Sequence, residues 1–285
     1  MGEGRERLWA FVRGVGVIAL GAALLALIRL ALDHLVPVLI ARNIIGRADQ
    51  DPRDHTLQLL IGSLSVVVPS IATVLIAARL RLVTPVKLRV GSKTLKTWAA
   101  GFLGASFPIL TLLGAALAFG ITSVVTGPPW DALTNLGFLS LALVILIASA
   151  ASEEIVFRGA IQPQLANGLG TPAALLLASI LFAYAHMEMN PDWLVARFLL
   201  GVALGWAAVR TGTLAFPIGA HCGVNFIKFL VHEPFTGASS IIADGAAGAG
   251  AVSAEPAKWP LAAFYAVLII VSAEAFRWAG RRRAA

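Results

Sequence analysis

Two adjacent carboxylates and a cation form the first of three polar motifs that interrupt apolar stretches of this 285-residue chain. The motif reads EEIVFR over residues 153–158. Neighbouring residues of a helix point about 100° apart, whereas Arg158 lies four residues after Glu154 and shares its face. We therefore predict an ion pair between Glu154 and Arg158, which leaves Glu153 without an adjacent cation. Glu153 could then act as a general base, although the same motif would also suit a salt bridge at a helix end.

The other two motifs each carry a histidine. The sequence FAYAH ends at His186, and the sequence HCGVN places His221 and Asn225 four residues apart on one face of a helix. Polar residues of this kind can also serve hydrogen bonding between packed helices without any chemistry. One shared polar cavity would satisfy all three motifs together.

A carboxylate, two imidazoles and an amide in one cavity suit the attack of water on a carbonyl group. Glu153 would take a proton from the water, an imidazole would position it, and His221 with Asn225 would stabilise the oxyanion. The same cavity could instead hold a divalent metal such as zinc through Glu153, His186 and His221, with one coordination position left for water. The residues alone leave both schemes open.

The composition places these motifs within a membrane. Hydrophobic residues make up 58% of the chain and charged residues 13%, against roughly 45–50% and about 25% in soluble proteins. Several apolar runs reach the length of about 18 residues or more that spans a bilayer. We predict an all-α, polytopic transmembrane helical bundle of about eight spans with a polar catalytic cavity within the membrane. The predicted spans are residues 15–32, 57–78, 98–124, 136–165, 171–187, 193–209, 213–231 and 259–278.

The basic residues predict the orientation of the bundle. Lysine and arginine concentrate between the second and third predicted spans and at the C-terminus, whereas the connection 126–135 has neither. An even number of spans with both termini in the cytosol fits this distribution. The net charge of +7 then reflects contact with an anionic membrane surface, and nucleic acid is not expected as a partner. Near the end of the last span, Glu274 and Arg277 are three residues apart and can pair, so neither is a candidate site residue.

The motifs also divide the chain into three parts. Residues 1–134 form an N-terminal transmembrane region of about three helices, and residues 135–232 form a catalytic core of about four helices. Residues 233–285 comprise an outer loop rich in glycine and alanine and the last transmembrane helix. No segment is large enough for a separate soluble catalytic domain, so the helices themselves must supply any chemistry.

The three motifs, in this order on separate apolar segments, resemble those of the CPBP family of intramembrane proteases. That family includes the type II CAAX prenyl endopeptidases and the bacterial Abi and bacteriocin-immunity proteins. The resemblance covers roughly residues 135–232 and follows the patterns Glu-Glu-x-x-x-Arg, Phe-x-x-x-His and His-x-x-x-Asn. The matching residues are Glu153, Glu154, Arg158, Phe182, His186, His221 and Asn225.

The resemblance implies an all-helical intramembrane endopeptidase. Glu153 with His186 would activate water, Glu154 and Arg158 would orient the site, and the two residues of the last motif would hold the oxyanion. The resemblance is compatible with a metalloprotease and with a metal-independent glutamate mechanism. It implies a peptide or a membrane protein as substrate within the lipid bilayer.

Two other classes of protein compete with this interpretation. In a non-enzymatic membrane scaffold or bacteriocin-immunity protein, the polar stripes would serve helix packing alone. A transporter would commonly show two related halves, and no such internal symmetry is visible in the sequence. The richness in alanine, glycine and arginine favours a bacterial cytoplasmic (inner) membrane as the location, and the oligomeric state stays open.

Overall fold

The computed structural model describes residues 2–41, 52–82, 92–119, 132–186, 189–232 and 259–282, and the structural statements below concern these residues. They contain helices and no strand, which confirms the predicted all-α fold. In chain order the elements are α1 (Gly2–Ala41), α2 (Pro52–Arg79), α3 (Ser92–Ala118), α4 (Ala132–Glu154), a π-helix (Ile155–Ile161), α5 (Gln162–Leu169), α6 (Thr171–Ala185), α7 (Pro191–Thr211), α8 (Ala215–His232) and α9 (Trp259–Arg282).

Six of the described stretches are long and apolar enough to cross a membrane. They are Gly4–Ile28, Leu60–Arg79, Ser92–Ala115, Leu139–Leu169, Pro191–Thr211 and Pro260–Arg281. Helix α6 is apolar but shorter, and α8, which carries the third motif, is not among the six. The molecule is therefore a polytopic helical bundle, as predicted. Two of the eight predicted spans correspond to α6 and α8, which are not among the six candidate membrane spans.

A π-helix follows directly after the two glutamates. It joins α4 to α5 without a break, so the predicted segment 136–165 lies within one long helical stretch. The wider i→i+5 hydrogen bonding of a π-helix is rare and occurs frequently at functional sites. At the far end of α5, Gly170 has a φ of +84°, a conformation that glycine adopts without steric cost, and the chain turns there into α6.

Helices α3 and α8 approach to backbone contact. A Cβ atom on Gly101 would collide with the carbonyl of Phe216, and one on Gly219 would collide with the carbonyl of Trp98. A Cβ atom on Gly223 would lie 2.7 Å from a backbone oxygen of α3. Small residues allow this close packing of membrane helices, and it fixes the position of α8.

Two large clusters of buried apolar side chains form most of the core, and a small third one joins Ala142 of α4 to Phe229 of α8. Of the two large clusters, one draws on α3, α7, α8 and α9, and the other on α1, α2, the π-helix, α5 and α6. Arg158 on the π-helix and His221 on α8 are both buried between these elements. The polar motifs thus lie where the two halves of the bundle meet.

The close ion pair of Glu274 is with Arg210, and Arg277 contributes to the charge around Glu274 from a greater distance. The Glu274 carboxylate binds Arg210 of α7 through two hydrogen bonds, Nε to Oε1 at 2.5 Å and Nη2 to Oε2 at 2.8 Å. Trp206 Nε1 also donates to Glu274 Oε1, at 3.2 Å. The planar guanidinium matches both carboxylate oxygens at once, and the packing of α9 on α7 places it opposite Glu274.

Candidate active site

Glu154 is the centre of a buried polar cluster. Its side chain is fully buried, and its Oε1 accepts hydrogen bonds from Arg158 Nη1 and from His221 Nδ1, each at 2.9 Å. Because a carboxylate oxygen accepts, the proton of this contact lies on Nδ1 of the imidazole. The contact orients the His221 ring and leaves its Nε2 as the other reactive atom.

Arg158 connects this cluster to helix α7. Its Nη2 donates to the carbonyl oxygen of Gly201 at 2.9 Å, and its guanidinium lies 4.5 Å from the centre of the Phe182 ring. One turn later, Gln162 Nε2 donates to the carbonyl oxygen of Gly205 at 3.2 Å. The π-helix and the start of α5 are therefore bound to α7 by side-chain bonds at two successive turns.

Glu153 faces His186 across a short gap. Its Oε2 lies 3.8 Å from His186 Nε2, and Ser149 Oγ donates to its Oε1 over a long 3.5 Å. Oε2 itself is buried and makes no hydrogen bond to any described residue. The side chains of Glu153 and His186 are 12% and 30% exposed, so this pair is more accessible than the Glu154 cluster.

The His186 ring is held by its own helix. Its Nδ1 lies 2.8 Å from the carbonyl oxygen of Phe182. Since a carbonyl oxygen accepts, Nδ1 carries the proton, and Nε2 presents a lone pair toward Glu153 when the ring is neutral. Position 182 therefore determines which ring nitrogen of His186 faces the carboxylate.

Phe182 lies between the two histidines. Its ring is fully buried, with ring centres 4.9 Å from His186 and 5.8 Å from His221, both in edge-on geometry. The ring also contacts the guanidinium of Arg158, so it joins the Glu153 pair to the Glu154 cluster. The sequence motif included this residue but suggested no role for it.

Asn225 lies one turn after His221 on α8 and is half-buried. Within the described residues its amide has no hydrogen-bond partner. The structure therefore brings five of the six predicted site residues into two linked groups, and it leaves Asn225 beside them on the same helix. Its predicted role at the oxyanion stays a prediction.

Sequence reasoning missed several contributors to the site. Ser149 and Gly201 bind the motif residues Glu153 and Arg158, and Gln162 binds Gly205 one turn further on, although none of these residues belongs to a motif. The only sequence signal is a matched spacing, since residues 158 and 162 are four apart and so are their glycine partners 201 and 205. Such a match becomes meaningful only when the two helices are known to pack together.

No group of three or more His, Cys, Asp and Glu side chains among the described residues could hold a metal ion as they lie. Glu153 and His186 face each other, and His221 retains Nε2 as a donor because only its Nδ1 is bound to Glu154. The predicted metal set of Glu153, His186 and His221 stays a prediction.

Comparison with known proteins assigns the central part of the chain. No curated protein and no solved structure matches the chain. Residues 135–227, about a third of the chain, match the family model described as type II CAAX prenyl endopeptidase Rce1-like. This stretch contains all three motifs, and the predicted resemblance to the CPBP proteases is confirmed over it. The protein is an integral membrane protein whose residues 135–227 are similar to the Rce1-like type II CAAX prenyl endopeptidases.

Proposed function

We propose that this protein is an intramembrane endopeptidase in which Glu153 activates the attacking water. The observation that carries the proposal is the 3.8 Å separation between Glu153 Oε2 and His186 Nε2. Both atoms are hydrogen-bond acceptors when the carboxylate is ionised and the ring is neutral. A water molecule between them can donate one hydrogen to each, which directs its own lone pairs toward a substrate carbonyl.

Hydrolysis then follows a balanced sequence of proton transfers. The water oxygen bonds to the carbonyl carbon while Glu153 takes a proton, and the carbonyl electrons move to oxygen to form an oxyanion. When the oxyanion collapses, the C–N bond breaks and Glu153 returns the proton to the leaving nitrogen. One water is consumed for each bond, and the carboxylate is regenerated.

The third motif is proposed to stabilise the oxyanion. Asn225 can donate from its amide, and His221 can donate from Nε2 when both ring nitrogens carry protons. Glu154 already binds Nδ1 of His221 and supplies the counter-charge that a protonated ring needs in an apolar interior. Arg158 binds the same carboxylate oxygen and holds it in place.

The substrate is proposed to be a membrane-associated protein or peptide, since the family model supports a peptidase. We further propose the bacterial cytoplasmic membrane as the location, with both termini in the cytosol. The cations Arg79, Arg81, Lys93 and Lys96 flank the connection between α2 and α3. That concentration of positive charge favours the cytosolic side.

Replacement of Glu153 by Gln tests the proposal. The amide cannot take up the proton, so cleavage should fall at least about 100-fold. Membrane proteomes of cells with wild-type protein and with Glu153→Gln at equal abundance should differ by species that are cleaved only in the former. Glu6→Gln makes the same chemical change at an exposed site on α1 and should cleave as wild type does. Equal cleavage by Glu153→Gln, or no species that depends on the wild-type protein, would contradict the proposal.

A further inference from the structure

An apolar cavity of about 330 Å³ lies between α1, α2, the π-helix and α6. Its walls include Ala22 of α1, Thr73 of α2, Phe157 of the π-helix and Ala185 of α6. The Thr73 hydroxyl donates to the carbonyl oxygen of Pro69, so it is not available to a ligand as a donor. Cavities lined in this way hold apolar groups rather than water.

The cavity adjoins the candidate catalytic pair on two elements. Phe157 follows Glu153 by four residues, and its ring packs edge-on against Phe182 with centres 5.3 Å apart. Ala185 directly precedes His186 in the chain. A substrate whose scissile carbonyl lay between Glu153 and His186 would therefore pass close to this cavity along both elements.

The cavity is accessible from the surface of the bundle. Ala22 is exposed, and Tyr184, also in the wall, is 52% exposed. Both neighbouring helices, α1 and α2, contain candidate membrane spans. The opening therefore faces the region from which a membrane-embedded substrate would approach.

We infer that this cavity is a specificity pocket that receives one large apolar side chain of the substrate beside the scissile bond. This inference rests on the proposed function. The volume is at the lower end of the range of about 300–1,000 Å³ for ligand pockets, which suits a single side chain rather than a helix. Two of the four walls come from α1 and α2, outside residues 135–227. Substrate preference thus depends on helices that the family model does not cover.

A pair of neighbouring substitutions on α1 tests the pocket. Ala22→Phe places a ring at the cavity wall, whereas Ala23→Phe makes the same change at an adjacent exposed residue that does not line the cavity. The probe is a substrate identified by the proteomic comparison above. It is made as membrane-reconstituted peptides with Ala, Leu or Phe at each position near the cleavage site. For the peptide position whose side chain enters the cavity, Ala22→Phe should lower kcat/KM for the peptides with Leu or Phe by about tenfold or more, relative to the peptide with Ala. Ala23→Phe should keep the wild-type preference.

A widening substitution gives a second readout if Ala22→Phe does not fold. Leu25→Ala removes bulk from the same wall and should raise the relative kcat/KM for a peptide with Trp at that position. An unchanged substrate preference in both variants would show that the cavity is not a specificity pocket. This is the result expected if a lipid chain rather than substrate fills it. The proposed function would still stand. If the wild-type protein cleaves nothing, the proposed function fails and the inference fails with it.

Discussion

The two adjacent glutamates have different surroundings, and this difference supports the different roles proposed for them. Glu154 is fully buried and its Oε1 binds both Arg158 and His221. Glu153 has a long contact from Ser149 at 3.5 Å and faces His186 at 3.8 Å. A carboxylate held by two strong donors is suited to positioning, whereas a loosely held one can exchange a proton with water. These contacts therefore favour the proposed role of Glu153 as the base and of Glu154 as a positioning residue.

The stability of the protein should distinguish these two roles. Glu154→Gln leaves the buried guanidinium of Arg158 without an anionic partner, which should lower the free energy of unfolding by about 3–5 kcal/mol. Glu153→Gln removes no ion pair with a fixed cation and should change it by less than about 1 kcal/mol. Denaturant unfolding of both variants in detergent micelles measures the difference. An equal loss in the two variants would contradict the separation of roles.

Local spacing predicted part of the site, and packing determined the rest. The Glu154–Arg158 contact follows from helix geometry, because residues four apart share a face. His221 is 67 residues away from Glu154, and Arg158 is 43 residues away from Gly201. No pattern within one helix can reveal such partners. The role of Phe182 was equally hidden, since an aromatic residue in an apolar helix looks like any core residue.

At the scale of elements, the close packing of α3 on α8 positions the third motif. Gly219 and Gly223 bracket His221 on α8, and both lie at backbone contact with α3. A four-residue spacing of small residues is typical of such interfaces between membrane helices. The sequence shows this spacing, but it does not show which helix packs there. Helix α3 precedes the matched residues 135–227, yet it supports the helix that carries His221.

Adding a methyl group at this close helix–helix contact should therefore lower both stability and activity. The added Cβ of Gly219→Ala would collide with the Trp98 carbonyl and force α3 and α8 apart, at a cost of about 1–3 kcal/mol in unfolding free energy. Cleavage should fall as well, because α8 carries His221. Gly114→Ala on α3 meets no atom within 4 Å and serves as the matched control. That control should be neutral or more stable by up to about 1 kcal/mol. A Gly219→Ala protein as stable as the control would contradict the packing argument.

The π-helix is the element that the sequence did not predict. Apolar runs predicted a helix across this region, and a helix is present. The change from i→i+4 to i→i+5 hydrogen bonding leaves no mark in the sequence, because the polar residues Glu154, Arg158 and Gln162 have the four-residue spacing of an ordinary α-helix. The π-helix nevertheless carries Arg158, whose contacts with Glu154 and Gly201 join two helices at the site.

At the scale of the whole molecule, hydropathy predicted the number of helical stretches better than their lengths. The eight apolar segments correspond to helices, but α6 and α8 are not among the six candidate spans. Helix α8 carries the polar residues His221, Asn225 and Lys228 within an otherwise apolar sequence. The predicted division of the chain into three parts, at residues 134 and 232, stays a prediction. The packing of α3 on α8 crosses the first boundary, and the packing of α9 on α7 crosses the second.

The contact between α7 and α9 provides a test of how the last helix is attached. Arg210 and Glu274 lie on these two helices and are 32% and 38% exposed, so salt should screen their interaction. Glu274→Gln should lower the Tm at low ionic strength, and the deficit should shrink near 1 M salt, where the Debye length falls to about 3 Å. Exchanging the charges, with Arg210→Glu and Glu274→Arg together, should recover part of the Tm that either single change loses, because an opposite-charge pair is restored. If the double variant loses as much as the sum of its parts at every ionic strength, the ion pair does not attach α9. The apolar packing of α9 on α7, where Ile269 and Ala273 are buried with Leu204, would then be the main attachment of the last helix.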